Sequence, residues 1–175
     1  MDDYDNFQKS NIEEKILNEL KNNCRLNLDE IGKKCGCSRY KVGRFIKKLE
    51  ENKTILGYSA IVNPNKTNEK HFILLIKRTT LPLDEEILKK LPLFSGSDLV
   101  PNIRINLDDT FYVHGEFDWV VTFTADDISF AKDFCNKILK YYNKFIERLE
   151  LLETIGPIRK NGFRIKQSEK ITKIL

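Results

Sequence analysis

The sequence is short of the residues on which most metal and nucleophile chemistry depends. Its 175 residues include two histidines, four cysteines, one tryptophan and one methionine. A zinc site wants Cys-x-x-Cys pairs or Cys beside His. Cys35-Gly36-Cys37 is one residue too close for that pattern, and His71 and His114 are distant from it in sequence. No metal and no cofactor is therefore expected. No Ser/His/Asp or Cys/His arrangement and no Gly-rich phosphate loop is assignable. Asp108-Asp109 and Asp126-Asp127 read as turns or helix caps rather than as acid/base pairs. Long apolar runs are also missing. The best, Phe72-Ile73-Leu74-Leu75-Ile76, is flanked by His and Lys, whereas a membrane helix needs about 18–20 apolar residues. The opening Met1-Asp2-Asp3-Tyr4-Asp5 is acidic with no apolar stretch of a secretory signal. A cytoplasmic protein is expected, without a membrane partner, whose cysteines Cys24, Cys35, Cys37 and Cys135 make no disulfide framework.

What is present is ordinary in amount and uneven in placement. Charged residues make up 32% and hydrophobic ones 41%, with a mean hydropathy of −0.43; one core or two small domains are both feasible at this length. The composition is rich in Lys, Ile and Asn, an archaeal-like bias. The net charge is +4. Residues 33–53 hold eight Lys and Arg against Glu50 and Glu51, +6 in all, so the rest of the chain is net negative. Basic charge concentrated on a short helical stretch fits a polyanion. A merely solvated Lys-rich face is the bland alternative, and local architecture has to decide.

The amino-terminal third reads as three helices. Asn11 and Glu14 have capping-box spacing, and Ile12, Ile16, Leu17 and Leu20 form one apolar stripe ended by Asn22-Asn23. Asn27 and Glu30 repeat the box before Leu28, Ile31 and Cys35, and Gly36 stops that second helix. Ser38 caps a third, with Val42, Phe45, Ile46 and Leu49 inward. Residues 28–47 thus have the layout of a helix-turn-helix, with Gly32 small where the helices cross and Cys35 and Cys37 as small hydrophobes in the turn. Ser38, Arg39, Tyr40, Lys41, Arg44, Lys47 and Lys48 are the candidate DNA contacts. Arg39, Tyr40 and Lys41 occupy the end of a recognition helix that meets base edges, while the later cations suit phosphates. Double-stranded DNA is the expected partner.

After residue 54 the character changes. Thr54 to Val62 is β-branched and reads as a short hairpin or strand, and 65–70 as linker. Then come a strand at Phe72–Thr80, a helix at Asp84–Leu91, a half-buried strand in Leu99–Leu107, strands at Phe111–Val113 and Trp119–Thr124, a helix from Asp126-Asp127, and a strand at Ile146–Ile155. Phe163–Ile165 is read as an edge strand and Gln167–Leu175 as a tail. This is the βαββαβ order of a ferredoxin-like domain. Its helices leave one sheet face to be buried, most simply against a second copy in a homodimer. The expected class is α+β: a winged-type helix-turn-helix domain (1–54), a hairpin or linker (55–70), a ferredoxin-like RAM-type domain (71–165) and a tail (166–175).

Several stretches together carry a family resemblance: Ile16-Leu17-Asn18-Glu19-Leu20, the helix-turn-helix, Gly57-Tyr58-Ser59-Ala60-Ile61-Val62-Asn63-Pro64, and Gly115-Glu116-Phe117-Asp118-Trp119. The sequence resembles the Lrp/AsnC family, the leucine-responsive or feast/famine regulators. The resemblance implies a transcription regulator whose second domain dimerises, often assembles further, and binds amino acids or related metabolites near the last of those motifs. It therefore implies an effector site at His114, Gly115, Glu116 and Asp118; the structural alternative is a tight turn capped by carboxylates. Glu116 stands where the family usually has Asp and His114 where it has a small residue, so effector identity does not carry over. Two other classes share the architecture: a sirohaem-decarboxylase-like enzyme, whose His- and Tyr-rich strand motif is missing, and a ligand-binding protein that does not read DNA itself.

Overall fold

The computed structural model describes residues 2–85, 87 and 105–165. It divides into two compact units, Met1–Ala60 and Ile61–Leu175.

The first unit has three helices: α1 (Asp2–Asn22), α2 (Leu28–Cys35) and α3 (Arg39–Glu51). Helix α1 begins at Asp2 rather than at Asn11. No Gly or Pro lies between 2 and 10 to stop a helix, so Asn11 sits inside it and caps nothing. The second capping box forms as expected: Asn27 accepts the Glu30 N–H, and Glu30 accepts the Asn27 N–H, each at 2.9 Å. Gly36 ends α2 at φ 67°, a left-handed position that suits glycine. Ser38 caps α3 by accepting the Lys41 N–H. Ile16, Leu20, Ile31, Cys35, Val42 and Phe45 make the buried centre of the unit. The segment 54–62 was expected as a hairpin or strand and has no regular secondary structure. A strand needs a neighbour to take its backbone hydrogen bonds, and no strand pairs with it among the described residues.

The second unit holds β1 (Lys70–Arg78), β2 (Ile105–Tyr112), β3 (Trp119–Ala125), α4 (Ile128–Tyr141) and β4 (Ile146–Glu153). The sheet order is β2-β3-β1-β4, with every neighbouring pair antiparallel. That is the ferredoxin-like order, two central strands flanked by the outer two. Asp127 caps α4 by accepting the Ser129 and Phe130 N–H groups. Glu85 and Ile87 of the expected Asp84–Leu91 helix are helical, while 86 and 88–91 lie outside the described residues, as do 99–104 and the tail 166–175.

Two further expectations are corrected. The segments around Ile105 and Phe111 form one strand, not two: Leu107 pairs with Phe123 and Asp109 with Thr122, so Asp108 is an extra, bulged residue rather than a turn. The bulge shifts the strand's phase by one, which is why Ile105 and Leu107 share a face with Tyr112 and the alternation read from sequence broke there. Phe163 joins no edge of the main sheet. It pairs instead in a separate hairpin of β5 (Arg159–Lys160) and β6 (Phe163–Arg164).

Phe72, Leu74, Ile76, Val121 and Phe123 face α4 and bury with its Ala131, Phe134, Cys135 and Ile138. The opposite sheet face carries Ile73, Leu75 and Val120, half-buried, and the exposed Phe111 and Leu152. In register these form rows, Phe111–Val120–Leu75 and Thr122–Ile73–Leu152. Among the described residues, no helix is long and apolar enough to cross a membrane.

Candidate nucleic-acid interface and effector turn

The helix-turn-helix is fixed by a close contact. A Cβ added at Gly32 would stand 2.6 Å from the carbonyl oxygen of Cys37, and the Gly32 carbonyl accepts the Cys37 N–H at 2.9 Å. The turn therefore rests directly on α2. The Cys35 thiol is buried in it, and burial pushes its pKa up, so it is not a ready thiolate.

Helix α3 buries Val42, Phe45 and Leu49 and turns Tyr40, Arg44 and Lys47 outward. These three are spaced i, i+4, i+7 and make one stripe. Tyr40 is 84% exposed. Four cations of this unit are held in ion pairs. Lys34 meets Glu19 at 2.6 Å, Lys48 meets Glu13 at 2.8 Å, Arg39 meets Asp29 at 3.4 Å, and Lys47 meets Glu51 at 3.7 Å. Lys41 and Arg44 have no ion-pair partner among the described residues. Ser38 uses its oxygen as the cap and keeps its O–H proton for another acceptor. Ser38, Arg39, Tyr40, Lys41, Arg44 and Lys47 thus lie at the amino end and along the outer side of α3. Lys48 is drawn instead toward Glu13 of α1.

The turn between β2 and β3 brings His114, Gly115, Glu116 and Asp118 together at one end of the sheet. His114, Gly115 and Glu116 are exposed. Asp118 is half-buried and already engaged: its carboxylate accepts the Arg78 N–H at 2.8 Å, and its own N–H donates to the Ile76 carbonyl at 2.9 Å. The alternative reading, a carboxylate-capped turn, describes Asp118 well. Two arginines missed in the sequence complete the turn. Arg148 of β4 binds Glu116 at 2.5 Å and lies 4.9 Å over the Phe117 ring, and the Glu116 carboxylate pushes its pKa up. Arg78 bonds the Tyr112 hydroxyl at 2.6 Å, and its Nε is buried without a partner. Sequence gave no signal for either, because the contact between Glu116 and Arg148 spans 32 positions. A separate cavity of about 410 Å³ lies under β2 and β3 against α4, lined by Ile76, Leu107, Trp119, Val121, Phe134 and other uncharged side chains. A zwitterion finds no counter-charge there; the turn offers both signs.

Residues 9–55 match the family described as winged helix-turn-helix DNA-binding. An HTH-type transcriptional regulator of Pyrococcus horikoshii is 30% identical over 138 residues, 78% of this chain and 84% of the relative. A leucine-responsive regulatory protein of Haemophilus influenzae is 29% identical over 122 residues, 69% of each chain. The chain belongs to the Lrp/AsnC family of transcription regulators. Two solved structures share the fold of this Lrp/AsnC chain. The AsnC family transcriptional regulator from Agrobacterium tumefaciens aligns with a TM-score of 0.61 at 22% identity, covering 94% of this chain and 98% of that one. A transcriptional regulator of Neisseria meningitidis, solved as an L-Met complex, aligns at 0.62 and 17% identity, covering 85% and 91%. The chain is therefore a transcription regulator carrying a DNA-binding helix-turn-helix.

Proposed function

We propose that this regulator reads operator DNA with α3 and answers to an amino acid or related small metabolite held at the 114–118 turn. Residues 1–54 serve DNA binding and 71–165 serve effector binding and pairing of two copies. The observation that carries the DNA half is the outward stripe Tyr40–Arg44–Lys47, with Lys41 unpaired beside it on a helix whose amino end is capped by Ser38. A cation already held by an acid gives up that contact to bind a phosphate; Lys41 and Arg44 give up none. Arg39, at the start of α3 and held by Asp29 in the free protein, is our assignment for a base-edge contact.

Support for the effector half is the mixed charge of the turn. Arg148 suits a carboxylate, the Glu116 carboxylate suits an ammonium, and the two pair in the free protein. An amino acid exchanges that contact for two, while the Arg148 Nε keeps its 3.2 Å pair with Glu150. The L-Met complex of the Neisseria meningitidis regulator makes methionine a first choice to try. The apolar sheet face, half-buried to exposed among the described residues, supports a homodimer, which presents two copies of α3 to a two-fold operator.

The test is binding of the purified protein to its own upstream DNA and to a scrambled fragment, across a salt series and with an amino-acid panel. Tight, steeply salt-dependent binding that prefers the upstream fragment supports operator reading, and an amino acid that shifts it identifies the effector. No binding at low salt overturns the assignment of α3.

A further inference from the structure

The helix-turn-helix does not account for all of the basic charge. Residues 155–175 hold six Lys and Arg against Glu169 alone, a net +5. With +6 in residues 33–53 and +4 over the whole chain, everything else sums to −7. The cations are thus gathered into two segments on a chain that is otherwise acidic.

The described part of the second segment, residues 155–165, contains the β5–β6 hairpin. Its two-residue turn is Asn161-Gly162 with φ 46° and 83°, the left-handed pair that favours Asn-Gly and matches the twist of the strands. Arg159 lies directly opposite Arg164, and Lys160 opposite Phe163. Opposite residues project to the same face, so one face carries two guanidinium groups and the other an ammonium beside a ring that is 55% exposed. Like charges facing each other across a hairpin are destabilising. None of Arg159, Lys160 and Arg164 has an ion-pair partner among the described residues. The hairpin's only side-chain bond to itself is Arg159 Nη1 to the Gly162 carbonyl, 3.3 Å. A turn that holds two unneutralised arginines side by side suits an anionic partner with repeated charges.

We infer that this hairpin is a second DNA contact, gripping backbone phosphates of the duplex. The inference rests on the DNA-binding reading of α3. The chain already delivers a polyanion to itself, and tethering raises the local concentration of the duplex for a weak second site. Two arginines suit phosphate oxygens bidentately. With one pair of residues on each face, the hairpin positions the duplex and does not read its sequence.

The test uses the full chain and an extended duplex in a salt series. Each lost phosphate contact flattens log K against log salt by about 0.9. R159A/R164A is expected to flatten the slope by about 2 per chain and to weaken binding at least tenfold at low salt, while R159K/R164K keeps most of the slope. An R159A/R164A slope equal to that of the unaltered protein overturns the inference. Retention of the unaltered protein on phosphatidylserine vesicles, with that same unchanged slope, assigns the hairpin to a membrane surface instead. A second readout needs no variant. Phenylglyoxal modification mapped by mass spectrometry is expected to find Arg159 and Arg164 shielded by the duplex, and equal labelling with and without DNA overturns the inference. If the unaltered protein binds no duplex at all, the reading of α3 fails with it; if it binds and only the hairpin tests fail, that reading stands.

Discussion

The Cα of Gly32 is pressed against the turn so closely that an added Cβ would lie 2.6 Å from the carbonyl oxygen of Cys37. Alanine in place of a helical glycine normally gains about 0.5–1 kcal/mol. Here the opposing atom is backbone and cannot swing away, and overpacking costs about 1–3 kcal/mol. Gly32→Ala is therefore expected to lose stability, with a lower midpoint in urea. Gly57, which has nothing within 4 Å of its added Cβ, serves as the control and is expected to change little. A Gly32→Ala protein as stable as the parent would show that the α2–α3 turn yields easily.

The parts of the fold legible in sequence are those set by local chemistry. The box of Asn27 and Glu30, the left-handed Gly36, the Ser38 and Asp127 caps and the inward stripe of α4 each depend on residues within a turn or two. The features that escaped are those decided across the chain. The bulge at Asp108 exists because β3 supplies a continuous neighbour, and sequence shows only two broken alternations. The α1 start escaped for the opposite reason: Asn11 looks like a cap, and a cap-forming residue can equally sit inside a helix. At the candidate sites the residue types were visible, but not their partners. Lys48 and Arg44 look alike in sequence, and only the fold shows that Glu13 holds one of them.

That difference separates two lysine-or-arginine removals. Arg44→Ala is expected to flatten the salt dependence of DNA binding by about 0.9 and to weaken all sequences alike. Lys48→Ala is expected to change the slope by less than half as much. Its effect on stability is also small, below about 1 kcal/mol, because the Lys48 side chain of its ion pair is largely exposed. Equal slopes for the two variants, measured by titration at several salt concentrations, would remove the distinction between paired and unpaired cations.

Asp118 and His114 make a second separable pair. The Asp118 carboxylate holds the Arg78 N–H at 2.8 Å, a charge-assisted bond of about 1.5–3 kcal/mol. Asp118→Ala is expected to lower the melting temperature with no effector present. His114 is exposed and holds no such bond among the described residues, so His114→Ala is expected to leave stability unchanged and to reduce the response to the effector. Calorimetry without ligand, followed by the DNA-binding response with it, distinguishes the two. Unchanged stability in Asp118→Ala would mean that the β1–β3 end does not depend on this carboxylate.

The apolar rows on the open sheet face carry the expectation of a dimer. Leu75 lies at the centre of one row, between Val120 and Glu150 in register, and lies outside the buried core cluster. Leu75→Glu replaces an apolar side chain whose burial is worth about 1.5–3 kcal/mol in each copy. The dissociation constant is expected to rise at least about 100-fold, with helix content unchanged. Sedimentation equilibrium of both proteins checks this. A parent that is monomeric at micromolar concentration, or a Leu75→Glu protein that stays dimeric, rules out this face as the contact.

His71 sits on the same face, with Nε2 3.6 Å from the Asp108 carboxylate and Nδ1 3.3 Å from the Thr154 hydroxyl. Burial lowers its pKa from 6.5, and Lys160 lowers it further, while Asp108 and Asp109 pull the other way without prevailing. Above pH 6.5 the ring is neutral folded and unfolded, and it costs the fold nothing. As the pH falls below 6.5 the unfolded chain takes the proton first, so stability declines until the folded ring titrates as well. The decline is at most about 1.4 kcal/mol per pH unit for one proton. His71→Gln keeps a polar, uncharged side chain and is expected to remove this step, leaving a flatter stability curve between pH 7 and the onset of carboxylate protonation. Parallel curves for the two proteins, from urea midpoints taken through that range, would show that Asp108 offsets the burial completely.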